Sequence, residues 1–172
     1  MGVDGSSGVI LVLGGARSGK SRHAEALIEG GPPPWIYVAT AQAYDDEMRA
    51  RIAEHRGRRG GGWRTVDAPL DLPQAIAANR GRPLLVDCLT LWLTNLMLAE
   101  HDTAAACEAL LKACAGHGAP LLLVSNEVGL GIVPENALAR RFRDEAGRLH
   151  QRLASQADRV LFMVAGLPMQ VK

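Results

Sequence analysis

A chain of 172 residues, 48% hydrophobic and 22% charged, is long enough for one globular domain with a substantial core. Its formal net charge of +1 gives no global attraction to nucleic acid or to an anionic membrane. No apolar run approaches the roughly 20 residues that a membrane helix needs, so stable membrane insertion is not expected.

Residues 1–8 read as a flexible Gly/Ser-rich tail. Met1-Gly2-Val3-Asp4-Gly5-Ser6 also fits the loose myristoylation pattern, but the charged-then-apolar layout of a signal peptide is missing. The short apolar runs Val9–Leu13, Trp35–Ala39, Leu84–Asp87, Leu121–Ser125 and Val160–Val164 predict strands, each flanked by Gly, Pro or a polar residue. Helical patterns lie between them at Ser18–Ile28, Asp45–Arg56, Leu70–Ala78, Thr90–Ala115 and Glu135–Gln156, the fourth broken near His101-Asp102. Strands alternating with helices predict a largely parallel sheet covered on both faces, with ligand loops at the carboxyl ends of its strands. The expected fold class is therefore α/β, a mostly parallel sheet with helices on both faces, in a single domain over 9–172. Cys88, Cys107 and Cys114 are odd in number and lack metal-site spacing, so they read as reduced core thiols of a cytoplasmic protein.

Gly14-Gly15-Ala16-Arg17-Ser18-Gly19-Lys20-Ser21 satisfies G-x-x-x-x-G-K-[ST] at every specified position, between a predicted strand and a predicted helix. The expected fold is therefore P-loop NTPase-like, of the RecA-like kind, with 9–172 as one nucleotide-binding domain. The glycines let the backbone fold around a phosphate, and the helix N-terminus presents positive charge to it. Lys20 is expected to reach the β- and γ-phosphates, and Ser21 to bind Mg²⁺. Lys20 is also one of only three lysines beside sixteen arginines, so its place in the motif stands out. Leu84-Leu85-Val86-Asp87 is an apolar strand ending in an acid. Asp87 can hold Mg²⁺ or its water, and it can equally cap the helix that follows.

Met48, Ile52 and His55 fall on one face of the predicted Asp45–Arg56 helix, which suits a core or boundary histidine. Arg51, Arg56, Arg58 and Arg59 surround His55 in sequence, which suits a polyphosphate. A neutral imidazole is also a competent nucleophile toward phosphorus. A solvated basic loop explains the same arginines. His23, His101, His117 and His150 lack such company and read as structural.

The P-loop with Arg22, then Tyr37-Val38-Ala39-Thr40-Ala41, Asp46-Glu47-Met48, Arg51-Ile52, His55, Trp63-Arg64-Thr65, Asn95-Leu96 and Asn126-Glu127-Val128-Gly129-Leu130-Gly131-Ile132-Val133-Pro134-Glu135 resemble the adenosylcobinamide kinase/adenosylcobinamide-phosphate guanylyltransferase family. The resemblance runs from about residue 9 to the end. It implies two reactions on a corrinoid substrate. ATP or GTP phosphorylates the aminopropanol hydroxyl of adenosylcobinamide. GTP then gives its GMP unit to that phosphate through GMP bound to a histidine, a role that falls on His55. It further implies nucleotide contacts by Gly14–Ser21, Ala39, Thr40, Ala41, Arg56, Gly57, Arg58, Arg59, Asp67 and Asp87, and a propeller-like homotrimer. Family members often carry Glu where Asp67 and Asp87 stand. A P-loop small-molecule kinase without a covalent intermediate is the alternative enzyme. A GTP switch is disfavoured because the Asn-Lys-x-Asp guanine motif is missing: Ser125-Asn126-Glu127-Val128 lacks the Lys. A nucleic-acid-dependent ATPase is disfavoured by the near-zero charge and the seven aromatic residues.

Overall fold

The apolar runs form strands because β-branched and leucine side chains can be buried on both sides of a parallel sheet. The computed structural model describes residues 8–42, 46, 53, 57 and 59–172. Its strands are β1 (Val9–Gly14), β2 (Trp35–Ala39), β3 (Trp63–Asp67), β4 (Leu84–Asp87), β5 (Leu121–Asn126), β6 (Arg159–Val164) and β7 (Leu167–Gln170). The helices are α1 (Lys20–Glu29), α2 (Leu72–Ala78), α3 (Leu89–Leu98), α4 (Thr103–Ala115) and α5 (Ala137–Gln156).

The seven strands form one sheet in the order β3-β2-β4-β5-β1-β6-β7, parallel except for the β6–β7 hairpin. β5 lies between β1, which leads into the P-loop, and β4, which ends in Asp87. That insertion is the RecA-like arrangement, and it confirms the expected fold class.

Alternation along the strands splits the core in two. Leu11, Ile36, Val38, Leu84, Val86, Leu121 and Leu123 join α2 to α5 on one face. Val12, Tyr37, Leu85, Leu122, Val124 and Met163 meet Ala24 and Ile28 of α1 on the other. The predicted break in the long helix falls between α3 and α4, where the Asp102 side chain caps α4 by accepting from Ala105 N at 3.0 Å. Asn136 caps α5 in the same way, accepting from Ala139 N at 3.1 Å. Cys88, Cys107 and Cys114 are free and buried, as core thiols should be.

Two strands were not predicted from sequence. β3 is an edge strand with two of its central residues exposed, so it lacks the continuous apolar run of its neighbours. β7 is exposed along its length and contains Pro168, which an edge strand tolerates. The predicted helix over Asp45–Arg56 lies outside the described residues, apart from Asp46 and Ala53, which are helical. The N-terminal tail lies outside them as well, apart from Gly8.

The α3 segment Trp92, Leu93, Leu96, Met97 and Leu98 carries more apolar surface than one helix face can bury, so part of it is expected to cover the sheet and part a neighbouring subunit. Trp92, Leu93 and Leu96 are buried within the chain, Met97 is half-buried, and Trp92 Nε1 also donates to Leu70 O at 2.8 Å. Only Leu98 of that set is exposed. The large exposed apolar side chains lie elsewhere, at Leu130, Ile132, Val133 and Leu138 after β5, and at Val164, Leu167, Met169 and Val171 around β7.

Candidate nucleotide-binding and active site

β1 delivers Gly14 into a loop that turns back through Gly19 to start α1 at Lys20. Two of its glycines are required by space and by backbone angle. A Cβ on Gly14 would lie 2.7 Å from Ser18 Oγ and 2.8 Å from the Met163 carbonyl oxygen. Gly19 has φ +92°, and a Cβ there would lie 3.2 Å from Gly166 Cα. Gly166 belongs to the β6–β7 turn, whose Ala165 and Gly166 both have positive φ, and its N–H donates to Ser18 O at 3.0 Å. The hairpin therefore braces the P-loop from behind. Nothing in the sequence reading pointed to that support, because Ala-Gly is a weaker turn signal than Asn-Gly.

Gly15, Ala16 and Arg17 face solvent, whereas Lys20 is 7% exposed. Lys20 Nζ donates to Gly15 O at 2.5 Å and to Ser18 Oγ at 3.4 Å, so it folds back across the mouth of its own loop. Burial holds its pKa below the usual lysine range, and Cys88 and Asp87 pull the other way. Burial also pushes the Cys88 thiol up to about 11, so near neutral pH Asp87 is the counter-charge. The amides of the first turn of α1 have no side-chain cap, and no acid stands in that turn. An anion is what this helix start accommodates. Ser21, in the same turn, is half-buried.

The acids meet this loop through the register of the sheet. Ala39 pairs with Asp67 on one side and with Asp87 on the other, at the carboxyl ends of β2, β3 and β4. Paired residues point to the same face, here the α1 face, and two strand spacings separate the acids by about 10 Å. The small side chain of Ala39 stands between them. Thr40 is fully buried behind this slot: its Oγ1 donates to Cys88 O at 2.7 Å and accepts from Cys88 N at 2.9 Å. Asn95 of α3 donates from Nδ2 to Thr40 O at 2.8 Å and to Pro69 O at 3.0 Å, tying the loops after β2 and β3 together. Ala41 is half-buried beside them.

Asp87 does not cap a helix. The N-cap of α3 is Cys88, without a side-chain cap bond, while Asp87 Oδ2 accepts from the Tyr37 hydroxyl at 3.0 Å. Burial raises the Tyr37 pKa further above its ordinary value, so the hydroxyl stays a donor. Arg59 lies over the face of that ring, with Cζ 3.5 Å from the centroid, and its buried Nη1 has no partner among the described residues. A half-buried guanidinium with a buried, open donor, held on the ring whose hydroxyl bonds Asp87, suits a phosphate oxygen. Gly57 is exposed. His55, Arg51, Arg56 and Arg58 lie outside the described residues. His117 and His150 are buried, bonded to Arg82 O and Ser125 Oγ at 2.7 Å each, in keeping with structural roles.

Ser21 and Asp87 are hard oxygen donors, and one or two such ligands are what Mg²⁺ takes from a protein when nucleotide phosphates and water supply the rest. The donor set fits a magnesium ion that arrives with the nucleotide.

The strand order, the P-loop and the two acids around Ala39 make a candidate nucleotide site. Residues 10–171 match the family model described as cobinamide kinase / cobinamide phosphate guanyltransferase. The chain belongs to this family. It is 54% identical over 166 residues to the Bifunctional adenosylcobalamin biosynthesis protein CobP of Pseudomonas aeruginosa, covering 94% of this chain and 96% of that one. It is 47% identical over 181 residues to the Bifunctional adenosylcobalamin biosynthesis protein CobU of Salmonella typhimurium, covering 95% and 99%. Among solved structures, a structural study of Project ID PH0250 from Pyrococcus horikoshii OT3 superposes with a TM-score of 0.52 at 10% identity, covering 96% of this chain and 86% of that one; this is a likeness of fold alone. As a cobinamide kinase / guanyltransferase, the protein is a nucleotide-binding transferase of cobalamin biosynthesis. No helix among its described residues is long and apolar enough to cross a membrane.

Proposed function

We propose that the protein phosphorylates adenosylcobinamide with ATP or GTP and then transfers GMP from GTP to the resulting phosphate, giving adenosylcobinamide-GDP. The observation that carries this reading is the P-loop, with its buried Lys20 facing Asp87, in a chain of the cobinamide kinase / guanyltransferase family. In the first reaction the aminopropanol hydroxyl oxygen attacks the γ-phosphorus. The bond from that phosphorus to the β-γ bridging oxygen breaks, the nucleoside diphosphate leaves, and the hydroxyl proton passes to solvent. Lys20 and the amides of the loop neutralise the charge that spreads over the phosphates. Ser21 and Asp87 would hold Mg²⁺, which would supply further charge neutralisation at the phosphates.

In the second reaction an imidazole nitrogen of His55 attacks the α-phosphorus of GTP and releases pyrophosphate. An oxygen of the corrinoid phosphate then attacks the same phosphorus, and the P–N bond breaks. Arg51, Arg56, Arg58 and Arg59 stabilise the charge that develops, and Ala39, Thr40, Ala41, Gly57 and Asp67 complete the nucleotide contacts. Residues 9–172 act as one domain in the cytoplasm. The test is incubation with adenosylcobinamide, ATP, GTP and Mg²⁺ followed by mass analysis of the corrinoid. The expected products are the phosphate with ATP alone and the GDP derivative when GTP is present. A corrinoid that stops at the phosphate would favour a simple kinase.

The active assembly is proposed to be a homotrimer. Exposed apolar side chains at Leu130, Ile132 and Val133 and along β7 support burial between subunits. Light scattering should give three times the 18.3 kDa chain mass at micromolar concentration. A monomer would contradict the trimer.

A further inference from the structure

Tyr37 is the second residue before the end of β2, and it points to the same face as Ala39, the face that carries α1 and the P-loop. Nothing in the kinase or guanylyl chemistry calls for a tyrosine in that strand, and burying a hydroxyl without a partner is costly. Here the buried ring makes contacts with two charged residues. Its hydroxyl donates to Asp87 Oδ2 at 3.0 Å, and its face carries the Arg59 guanidinium at 3.5 Å. Trp63 closes the ring's flank, with centroids 6.0 Å apart in an edge-on arrangement, and Trp63 Nε1 is fixed in turn by Glu29 Oε1 of α1 at 2.7 Å. The ring therefore has little freedom to move.

We propose that Tyr37 is a positioning residue that sets Asp87 and Arg59 relative to each other, so that the acid and the guanidinium address one bound triphosphate. The hydroxyl fixes which carboxylate oxygen of Asp87 is taken up and leaves the carboxylate aimed for the metal side. The ring face holds a cation that would otherwise be drawn to the nearby carboxylate, and keeps its open Nη1 available to a phosphate. The inference rests on the nucleotide-site reading above, because both addressees are parts of the Mg²⁺-nucleotide.

The two contacts can be separated. Tyr37→Phe removes the hydroxyl and keeps the ring; Tyr37→Leu removes both, with Tyr37→Met as the substitute should the leucine variant not fold. The first readout is equilibrium binding of a GTP analogue that carries a methylene between the α- and β-phosphorus, by calorimetry, with Mg²⁺ and with EDTA. The second is the rate of covalent labelling by GTP labelled at the α-phosphate, at saturating nucleotide. For Tyr37→Phe we expect Mg²⁺-dependent affinity on the order of tenfold weaker, as for other partners that orient a metal ligand, with little change in EDTA. Its labelling rate at saturation should stay near wild type. Tyr37→Leu should lose affinity in EDTA as well and should be labelled at least tenfold more slowly. Asp87→Asn marks the floor of the Mg²⁺ effect. A merely structural role would lower the melting temperature or the active fraction without changing the ratio of affinities with and without Mg²⁺. Wild-type Mg²⁺ dependence in Tyr37→Phe would overturn the proposal, as would a leucine variant no slower than the phenylalanine one. Failure of the wild-type protein to bind the analogue would instead overturn the nucleotide-site reading itself.

Discussion

Lys20→Ala is expected to leave the protein folded and to cut both group transfers by about a hundred- to a thousandfold, the loss seen when a preorganised charge at a transition state is removed. The fold does not depend on this ammonium. Its partners are one carbonyl and one hydroxyl of its own loop, and Gly15 faces solvent, so water can replace the lysine there. Burial disfavours its charge, which is an energetic burden in the absence of an anion and a strong attraction once a triphosphate arrives. The same burial sets a pH limit. The contribution of Lys20 is present below its lowered pKa and is lost as pH rises through that value, so activity should fall on the alkaline side before an ordinary lysine would titrate. Circular dichroism and thermal melting establish folding, and corrinoid phosphorylation and pyrophosphate release are measured separately. Near-normal turnover in the folded variant would take the P-loop out of the mechanism.

Much of the fold can be read from the chain because its central strands are apolar on both faces. Leu84-Leu85-Val86 and Leu121-Leu122-Leu123-Val124 are buried throughout, and such runs have no other good use in a protein of this size. The edge strands escaped for the opposite reason. β3 and β7 are largely exposed, and their sequences are set as much by solvent and neighbours as by the sheet. In the site, the P-loop is local in sequence and so was visible, and Asp87 was visible as an acid ending an apolar run. What sequence alone does not carry is register. Only the pairing of Ala39 with both Asp67 and Asp87 places those acids on one slot. Sequence alone also left a helix cap open for Asp87, and the α3 N-cap is Cys88 instead. Tyr37 left one signal, a polar-tipped aromatic two residues before a strand end, which puts it on the same face as the site.

The second large effect concerns His55. Direct attack of the corrinoid phosphate on GTP would bring two anions together. A neutral imidazole avoids that repulsion in the first step and leaves readily once protonated in the second. His55→Ala is therefore expected to abolish guanylyl transfer while keeping much of the corrinoid kinase activity, since phosphorylation needs only the P-loop site and the acceptor hydroxyl. Loss of both activities in a folded variant that still binds nucleotide would tell against this division of labour. So would a variant that still makes adenosylcobinamide-GDP.

The most direct measurement gives the enzyme GTP labelled at the α-phosphate, with Mg²⁺ and no corrinoid, and follows label on protein together with pyrophosphate released. The account predicts covalent label in proportion to pyrophosphate, labile to acid and stable to alkali as a phosphoramidate is, mapping to the peptide that contains His55 and missing from His55→Ala. Label that persists on the His55→Ala protein, or nucleotide-bound wild-type enzyme that takes up none, would contradict it.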